Sequence, residues 1–255
     1  MDPQPGKPKL SKQRADQALV DRGLVESRTR AQALIMAGKV FSGTRAIAKS
    51  GDLVPSDAAL EVRGQDHPWA SRGGLKLDHA LHHFALSPSG LACLDIGAST
   101  GGFTSVLLHH GATSVYAIDV GHGQLAWSLR TDPRVTVMEK TNARRLDPTT
   151  LDTPIGALVC DASFIGLRTI LPAPLSCCTP GAWAVALIKP QFEAGPAQVG
   201  KGGVVRDPAI HAEVCTQIET WWSALPGWTV QGITESPVKG PEGNKEFLIA
   251  ARLAD

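Results

Sequence analysis

Short apolar runs alternate with amphipathic stretches along most of this chain. Five runs, Leu91–Ile96, Val115–Val120, Val135–Glu139, Ala157–Cys160 and Ala182–Ile188, have the length and aliphatic or β-branched content of buried strands. Helical spacing of apolar positions fills most of the gaps, over Leu75–Phe84, Phe103–His109, Gln124–Leu129 and Ile165–Leu175. Strands alternating with helices predict a doubly wound α/β fold, a parallel sheet covered on both faces. A further helix over Ile210–Leu225 precedes two strand-like runs, Trp228–Glu235 and Glu246–Leu253. Only a polar Pro/Gly loop separates these two, which predicts an antiparallel pair at the end of a seven-stranded sheet.

The start of the chain has a different rhythm. Arg14, Ala15, Ala18 and Leu19 begin an amphipathic helix that Gly23 ends, and Ser27 caps a second helix with Ala31, Ala33, Leu34 and Ile35 on its apolar face. Gly38 stops it. Short strands at Lys39–Phe41, Leu53–Val54 and Leu60–Val62 follow, separated by Ser-Gly turns. A small α+β module is therefore expected over residues 11–64, behind a flexible Pro/Lys tail at 1–10. A linker at 65–70 then leads to the α/β domain at 71–255.

Composition sharpens this division. Apolar residues make up 43% and charged residues 19% of the 255, enough to build a sizeable core. The net charge is only +1, but residues 7–49 hold ten basic against three acidic side chains, while residues 67–255 hold 14 against 16. A basic module on a nearly neutral body suits a polyanionic partner. The five cysteines sit mostly in apolar runs without CxxC spacing, as reduced thiols of a cytoplasmic protein do. The opening MDPQPGKPKLSKQ lacks the apolar core of a signal peptide.

Thr169–Ile188 runs 20 residues without a charge, yet Pro172, Pro174, Pro180 and Gly181 break any spanning helix. Two core elements joined by a turn are expected there, and no membrane association. His79, His82 and His83 share one helix with no Cys or second His pair at ligand spacing, so a solvated face and no metal are expected. Trp221, Trp222 and Trp228 fall at core-like positions, with a surface position the alternative for Trp222.

The strongest chemical signal is Leu94-Asp95-Ile96-Gly97-Ala98-Ser99-Thr100-Gly101-Gly102-Phe103. A strand ending in an acid, then a glycine-rich turn, then a helix lets a ligand approach the backbone and the helix N-terminus. The spacing is G-x-x-x-G-G, different from the dinucleotide pattern G-x-G-x-x-G. Asp119 closes the next strand 24 residues later, placed to hold a ribose diol. An ordinary tight turn is the alternative; together these features favour nucleoside binding.

Asp95–Phe103, Asp119-Val120-Gly121 and the strand-ending Asp161 resemble the S-adenosylmethionine-dependent methyltransferases of the FtsJ/RrmJ-like, 2′-O-methylating class. Four further segments are similar to the TlyA family, called haemolysin A-like by history: Ser71–Leu77, Gly123–Trp127, Lys189–Glu193 and Gly202–Pro208. Residues 11–64 resemble the RNA-binding domain named after the fourth small-subunit ribosomal protein, through Arg14-Ala15-Asp16, Gly23-Leu24-Val25, Ser27-Arg28 and Leu34–Val40. Phe41–Arg45 departs from that domain's Val-Asn-Gly turn. The likeness spans nearly the whole chain. It implies a Rossmann-like methyltransferase sheet, S-adenosylmethionine as cofactor, ribosomal RNA in ribosomal subunits as partner, and 2′-O-methylation at a cytidine.

The resemblance also implies a Lys-Asp-Lys-Glu set at Lys76, Asp161, Lys189 and Glu246, carried by the helix before the first strand and the ends of the fourth, fifth and last strands. A ribose hydroxyl must lose a proton while it attacks a methyl group, and a lysine is ordinarily protonated near neutral pH. A second cation and burial favour the neutral amine, while carboxylates hold the ammonium in place. Lys189 is thus expected to orient and deprotonate the hydroxyl, with Lys76, Asp161 and Glu246 positioning it. For the cofactor, Asp95 and Asp161 flank the site, Gly97, Ser99, Gly101 and Gly102 line the methionine side, Asp119 the ribose and Asn142 the adenine. Phe103 either packs on the cofactor or joins the core.

Lys12, Arg14, Arg28, Arg30 and Lys39 are expected to form one basic face for RNA phosphates, joined by Arg72. The segment Pro190–Pro208, with four glycines, is either a lid, with Lys201 and Arg206 meeting phosphates, or a plain mobile loop. The rival functions are a non-catalytic RNA-binding or ribosome-assembly factor and a membrane-lytic protein.

Overall fold

The computed structural model describes residues 11–25, 27–63, 67–240 and 243–255. The tail at 1–10, the module boundary at Gly64, the linker residues Gln65 and Asp66, and Glu242 lie outside them. The chain divides into two units, Met1–Pro68 and Trp69–Asp255.

In the first unit, β1 (Lys12–Arg14) leads into α1 (Ala15–Asp21), and α2 (Arg28–Met36) follows. Ser27 caps α2 as its residue type predicts, its Oγ accepting from Arg30 N at 3.2 Å. The rest is β2 (Val40–Ser42), β3 (Arg45–Ala46), β4 (Leu53–Pro55) and β5 (Leu60–Val62). β1 pairs with β4, and β2 lies between β3 and β5. Ala18, Leu19, Leu34, Ile35, Val40 and Val54 form the core. The short strands β1 and β3 carry too few apolar positions to show a period.

The second unit begins with α3 (Gly74–His83), β6 (Ala92–Ile96), α4 (Gly102–His109), β7 (Ser114–Ile118), α5 (Trp127–Arg130) and β8 (Val135–Met138). It continues with β9 (Ile155–Cys160), α6 (Leu167–Ile170), α7 (Pro172–Leu175), β10 (Cys178–Ile188) and α8 (Pro190–Glu193). α9 (Pro208–Ser223), β11 (Trp228–Glu235) and β12 (Phe247–Leu253) complete it. The seven strands lie in the order β11-β12-β10-β9-β6-β7-β8. β6 through β10 are mutually parallel, and β12 runs antiparallel to both neighbours.

Alternate residues of each strand serve opposite faces. Cys93, Val115, Val159 and Val185 pack with Leu77, Phe103 and Leu107 on the α3–α4 side. Leu94, Ile118, Leu158 and Ile188 pack with Leu171, Ile218 and Trp222 on the other. The fold is the expected α/β one.

Several details differ from the sequence expectation. The helix expected over Ile165–Leu175 is two single turns, α6 and α7, because Pro172 has no N–H to continue the first. The helix expected from Gln124 starts only at Trp127. β10 runs through Pro180 and Gly181 with an irregular register before Trp183, so the proline there marks a bulge rather than a turn. Trp222 is fully buried; its alternative surface position is excluded. Trp69 and Ala70, expected in the linker, belong to the second unit. Trp69 is buried against Gly74 and the rings of His109 and His110, and Ala70 N donates to Ser105 Oγ at 3.1 Å. All five cysteines are free thiols, and burial pushes Cys93 and Cys160 up to about 12.

Candidate active site

The strand order reverses between β9 and β6, which leaves a crevice outside their C-terminal ends. A cavity of about 700 Å³ occupies it. Its walls come from the segments after β6 (Gly97, Ser99), after β7 (Asp119, Val120, Gln124), after β8 (Thr141, Asn142, Arg144) and after β9 (Asp161–Ile165).

The turn after β6 curls tightly, with positive φ at Gly97 (+81°), Ser99 (+48°) and Gly101 (+92°). At Gly97 a Cβ would come within 3.0 Å of the Ala162 backbone, so a side chain there would push the turn into the segment after β9. Gly101 and Gly102 make room for packing. A Cβ at Gly101 would overlap Leu125 and Leu129, and one at Gly102 would lie 2.5 Å from Ser71 Oγ. Neither glycine lines the cavity, nor does Phe103, which is 3% exposed in the core, so of its two alternatives the core one holds.

Asp119 ties two walls together, accepting from Ser99 N at 2.8 Å and from Gly121 N at 2.7 Å. Glu139 does the same one layer further out. It accepts from Gly123 N at 2.9 Å and His122 Nδ1 at 3.0 Å and pairs with Arg130. Although burial alone pushes its carboxyl upward, the hydrogen bonds and ion pair prevail and hold it at about 2. Asn142 lines the cavity while its side chain caps the following turn through Arg144 N at 3.2 Å.

Asp95 lies beneath the turn, fully buried. Thr104 Oγ1 donates to its Oδ2 at 2.6 Å, and its Oδ1 has no hydrogen-bond partner among the described residues. Burial pushes this carboxyl from 3.8 up to about 7. Between pH 4 and 7 the folded protein retains a proton that the unfolded chain has released, so stability is full below about pH 4 and falls as pH rises through 7. In Asp95→Asn this loss disappears. Its melting temperature relative to the parent should rise by roughly 5 °C or more between pH 5 and pH 8. Parallel thermal melts would show it, and curves that stay parallel would exclude this assignment.

Lys76, Asp161, Lys189 and Glu246 converge at the same sheet edge. Lys76 Nζ lies 2.6 Å from Glu246 Oε2 and 3.7 Å from Asp161 Oδ2, and Lys189 Nζ lies 2.6 Å from Asp161 Oδ1. Charges alternate along this row, and Lys76 (7% exposed), Lys189 (6%) and Glu246 (1%) are buried. Glu246 comes from just before the start of the last strand, not from its end as expected. β12 runs antiparallel and pairs Phe247 with Ile188, so its beginning meets the C-terminal ends of the parallel strands. Lys76 arrives because the Ser71–Gly74 turn packs on the glycine start of α4.

Two wall residues escaped the sequence reading. Ser163 accepts from Lys189 Nζ at 2.9 Å, and Phe164 stands 89% exposed at φ +64° beside Phe192, ring centroids 5.2 Å apart. An aromatic residue three positions after a strand-ending acid was the available signal.

The basic residues of the first unit divide. Arg14 and Arg28 each reach the fully buried Asp16 at 3.0 Å, and their hydrogen bonds hold its carboxyl well below the usual range. Both therefore have a structural task, at half-exposed positions. Lys12 and Arg30 are exposed, Lys39 is half-buried, and Arg72 is an exposed residue of the second unit. The segment after α8 is fastened at its far end: Asn244 accepts from Val205 N at 3.1 Å and donates to Gly203 O at 3.0 Å. Among the described residues no three His, Cys, Asp or Glu side chains group as a metal site. No helix of theirs is long and apolar enough to cross a membrane.

A doubly wound seven-stranded sheet with an antiparallel strand inserted beside β10, and a glycine-turn cavity at its switch point, defines a Rossmann-like methyltransferase. The FtsJ-like methyltransferase family model matches residues 69–253, and the chain belongs to that family. It is 48% identical over 240 residues to the "16S/23S rRNA (cytidine-2'-O)-methyltransferase TlyA" of Mycobacterium tuberculosis, covering 94% of this chain and 89% of that one. It is 39% identical over 237 residues to "Hemolysin A" of Brachyspira hyodysenteriae, covering 92% and 98%. The solved structure named "Putative hemolysin from Streptococcus thermophilus" superposes with a TM-score of 0.75 at 40% identity, covering 96% of this chain and 90% of that one.

Proposed function

We propose that this protein transfers a methyl group from S-adenosylmethionine to the ribose 2′-hydroxyl of a cytidine in ribosomal RNA. The observation that carries this reading is the row Glu246–Lys76–Asp161–Lys189 beside the strand-end cavity. The relative's name, with its cytidine and its rRNA, agrees with it.

The cavity fits the cofactor chemically. Asp119 and Asp161 line it, two carboxylates suited to a cationic ligand, and the volume suits a nucleoside. Gly97 and Ser99 would border its amino-acid part, Asp119 its ribose and Asn142 its base. When bound, the cofactor supplies a methyl group on a positively charged sulfur.

The protein's part is positioning and proton management. Lys189 orients the attacking hydroxyl and accepts its proton, and the Asp161 carboxylate compensates the ammonium so formed. Lys76, held by Glu246, fixes the other oxygen of Asp161. Phe164 offers an aromatic face at the cavity, on which an extruded base can stack. Lys12 and Arg30, with the outer parts of Arg14 and Arg28, contact RNA phosphates. Lys39 joins them, and Arg72 is a phosphate contact of the second unit. Ribosomal subunits in the cytoplasm are the substrate this reading requires.

The test is transfer of label from tritiated S-adenosylmethionine to purified ribosomal subunits. Label should appear in RNA as 2′-O-methylated cytidine. No label, or label on a base or on protein, would overturn the proposal.

A further inference from the structure

We infer that Ser163 is a positioning residue for Lys189, holding the amine so that its remaining bonding direction faces the acceptor hydroxyl; this rests on the function proposed above. An amine on a four-carbon stem is free to rotate unless its partners fix it. Lys189 Nζ has two close partners, Asp161 Oδ1 in an ion pair at 2.6 Å and Ser163 Oγ, which accepts its hydrogen bond at 2.9 Å. A third, the Asp161 carbonyl oxygen, is distant at 3.4 Å and is the contact an incoming hydroxyl displaces most readily. The ion pair and the Ser163 hydrogen bond thus hold the amine, and the long contact is the one left to the substrate.

The turn carrying Ser163 is built to hold that geometry. Phe164 keeps a positive φ of +64°, a conformation a bulky residue adopts only when its surroundings impose it. The surroundings are the segment that follows Lys189. Phe164 contacts Phe192, and Leu167 N donates to Glu193 Oε1 at 2.7 Å. With the bond from Lys189 to Ser163, three contacts clamp residues 163–167 onto residues 189–193. Ser163 lines the cavity on the same wall as Asp161.

The experiment compares Ser163→Ala and Ser163→Thr with the parent, with Lys189→Ala run alongside. Ser163→Ala should lower kcat about tenfold, the loss expected from one hydrogen bond to a charged group. Cofactor Kd and RNA KM should stay within about twofold, since neither ligand is bound through this bond. Ser163→Thr keeps the hydroxyl and should recover most of kcat. A purely structural role would lower the melting temperature of both variants without this split. Full activity of Ser163→Ala, a threonine variant as slow as the alanine one, or a matching loss of cofactor affinity would each overturn the inference. If Lys189→Ala is inactive while Ser163→Ala is fully active, only the role of Ser163 falls. If Lys189→Ala is itself active, the proposed mechanism falls with it.

Discussion

Replacing Lys189 with alanine should lower kcat for methyl transfer by about 10²–10⁴-fold, the range ascribed to a positioned acid or base, while the cofactor still binds. Lys189 is 6% exposed and touches Asp161 and Ser163, which line the cavity. The walls proposed to hold the cofactor, around Gly97, Ser99, Asp119 and Asn142, take no support from its side chain. Calorimetry should give a cofactor Kd within a few-fold of the parent. The substitution also leaves Asp161 with Lys76 at 3.7 Å as a counter-charge, so the fold is not left with an isolated carboxylate. Lys189→Arg keeps the charge but stays protonated and should be nearly as inactive. An active Lys189→Ala variant would remove Lys189 from the mechanism.

Lys76→Met should be the most destabilising single substitution at the site. Glu246 is 1% exposed, its Oε2 is paired only with Lys76 among the described residues, and its Oε1 has no hydrogen-bond partner there. Removing the lysine leaves a buried carboxylate uncompensated, which costs about 3–5 kcal/mol. For a domain of this size that is a drop of roughly 10 °C in melting temperature. The double variant Lys76→Met with Glu246→Leu replaces the buried pair by apolar groups of similar volume and should regain most of the stability. It should not regain activity, because Asp161 has lost the cation that fixes its second oxygen. That dissociation of stability from rate separates a catalytic row from a structural ion pair. Equal stability of Lys76→Met and the parent would contradict the buried geometry.

Positions serving the proposed chemistry and positions serving packing are interleaved in a single glycine turn. Gly97 has no room for a Cβ because the Ala162 backbone lies against it, while Gly101 and Gly102 make room for Leu125, Leu129 and Ser71. A pattern of glycines cannot distinguish these tasks, since each requires only a missing side chain. Phe103 illustrates the same limit: its place after the turn suits either a ligand contact or a core position, and its neighbours put it in the core.

Local physics made most of the framework legible from residue order. Runs such as Ala92–Ile96 and Ile155–Cys160 are buried on both faces, so apart from Asp95 they read as apolar strands, and their alternation with helices implies the parallel sheet. The turn after Asp95, the acid at Asp119 and the basic opening module are equally local features. Ser27 capping α2 needs no information beyond four residues.

What residue order could not settle is which of these features touch. Lys76 and Glu246 are 170 positions apart and meet at 2.6 Å. Their meeting depends on β12 entering the sheet antiparallel beside β10, so that its first residues share an edge with the last residues of β9 and β10. Ser163 and Phe164 carry no periodic signal; their place follows from the clamp onto Lys189–Glu193. Arg14 and Arg28, alike in charge to Lys12 and Arg30, are set apart only by the buried Asp16 between them. Burial and turn geometry are properties of neighbouring residues and so survive in a linear pattern. Ion-pair partners are chosen by strand order and direction, which exist only once the chain has folded.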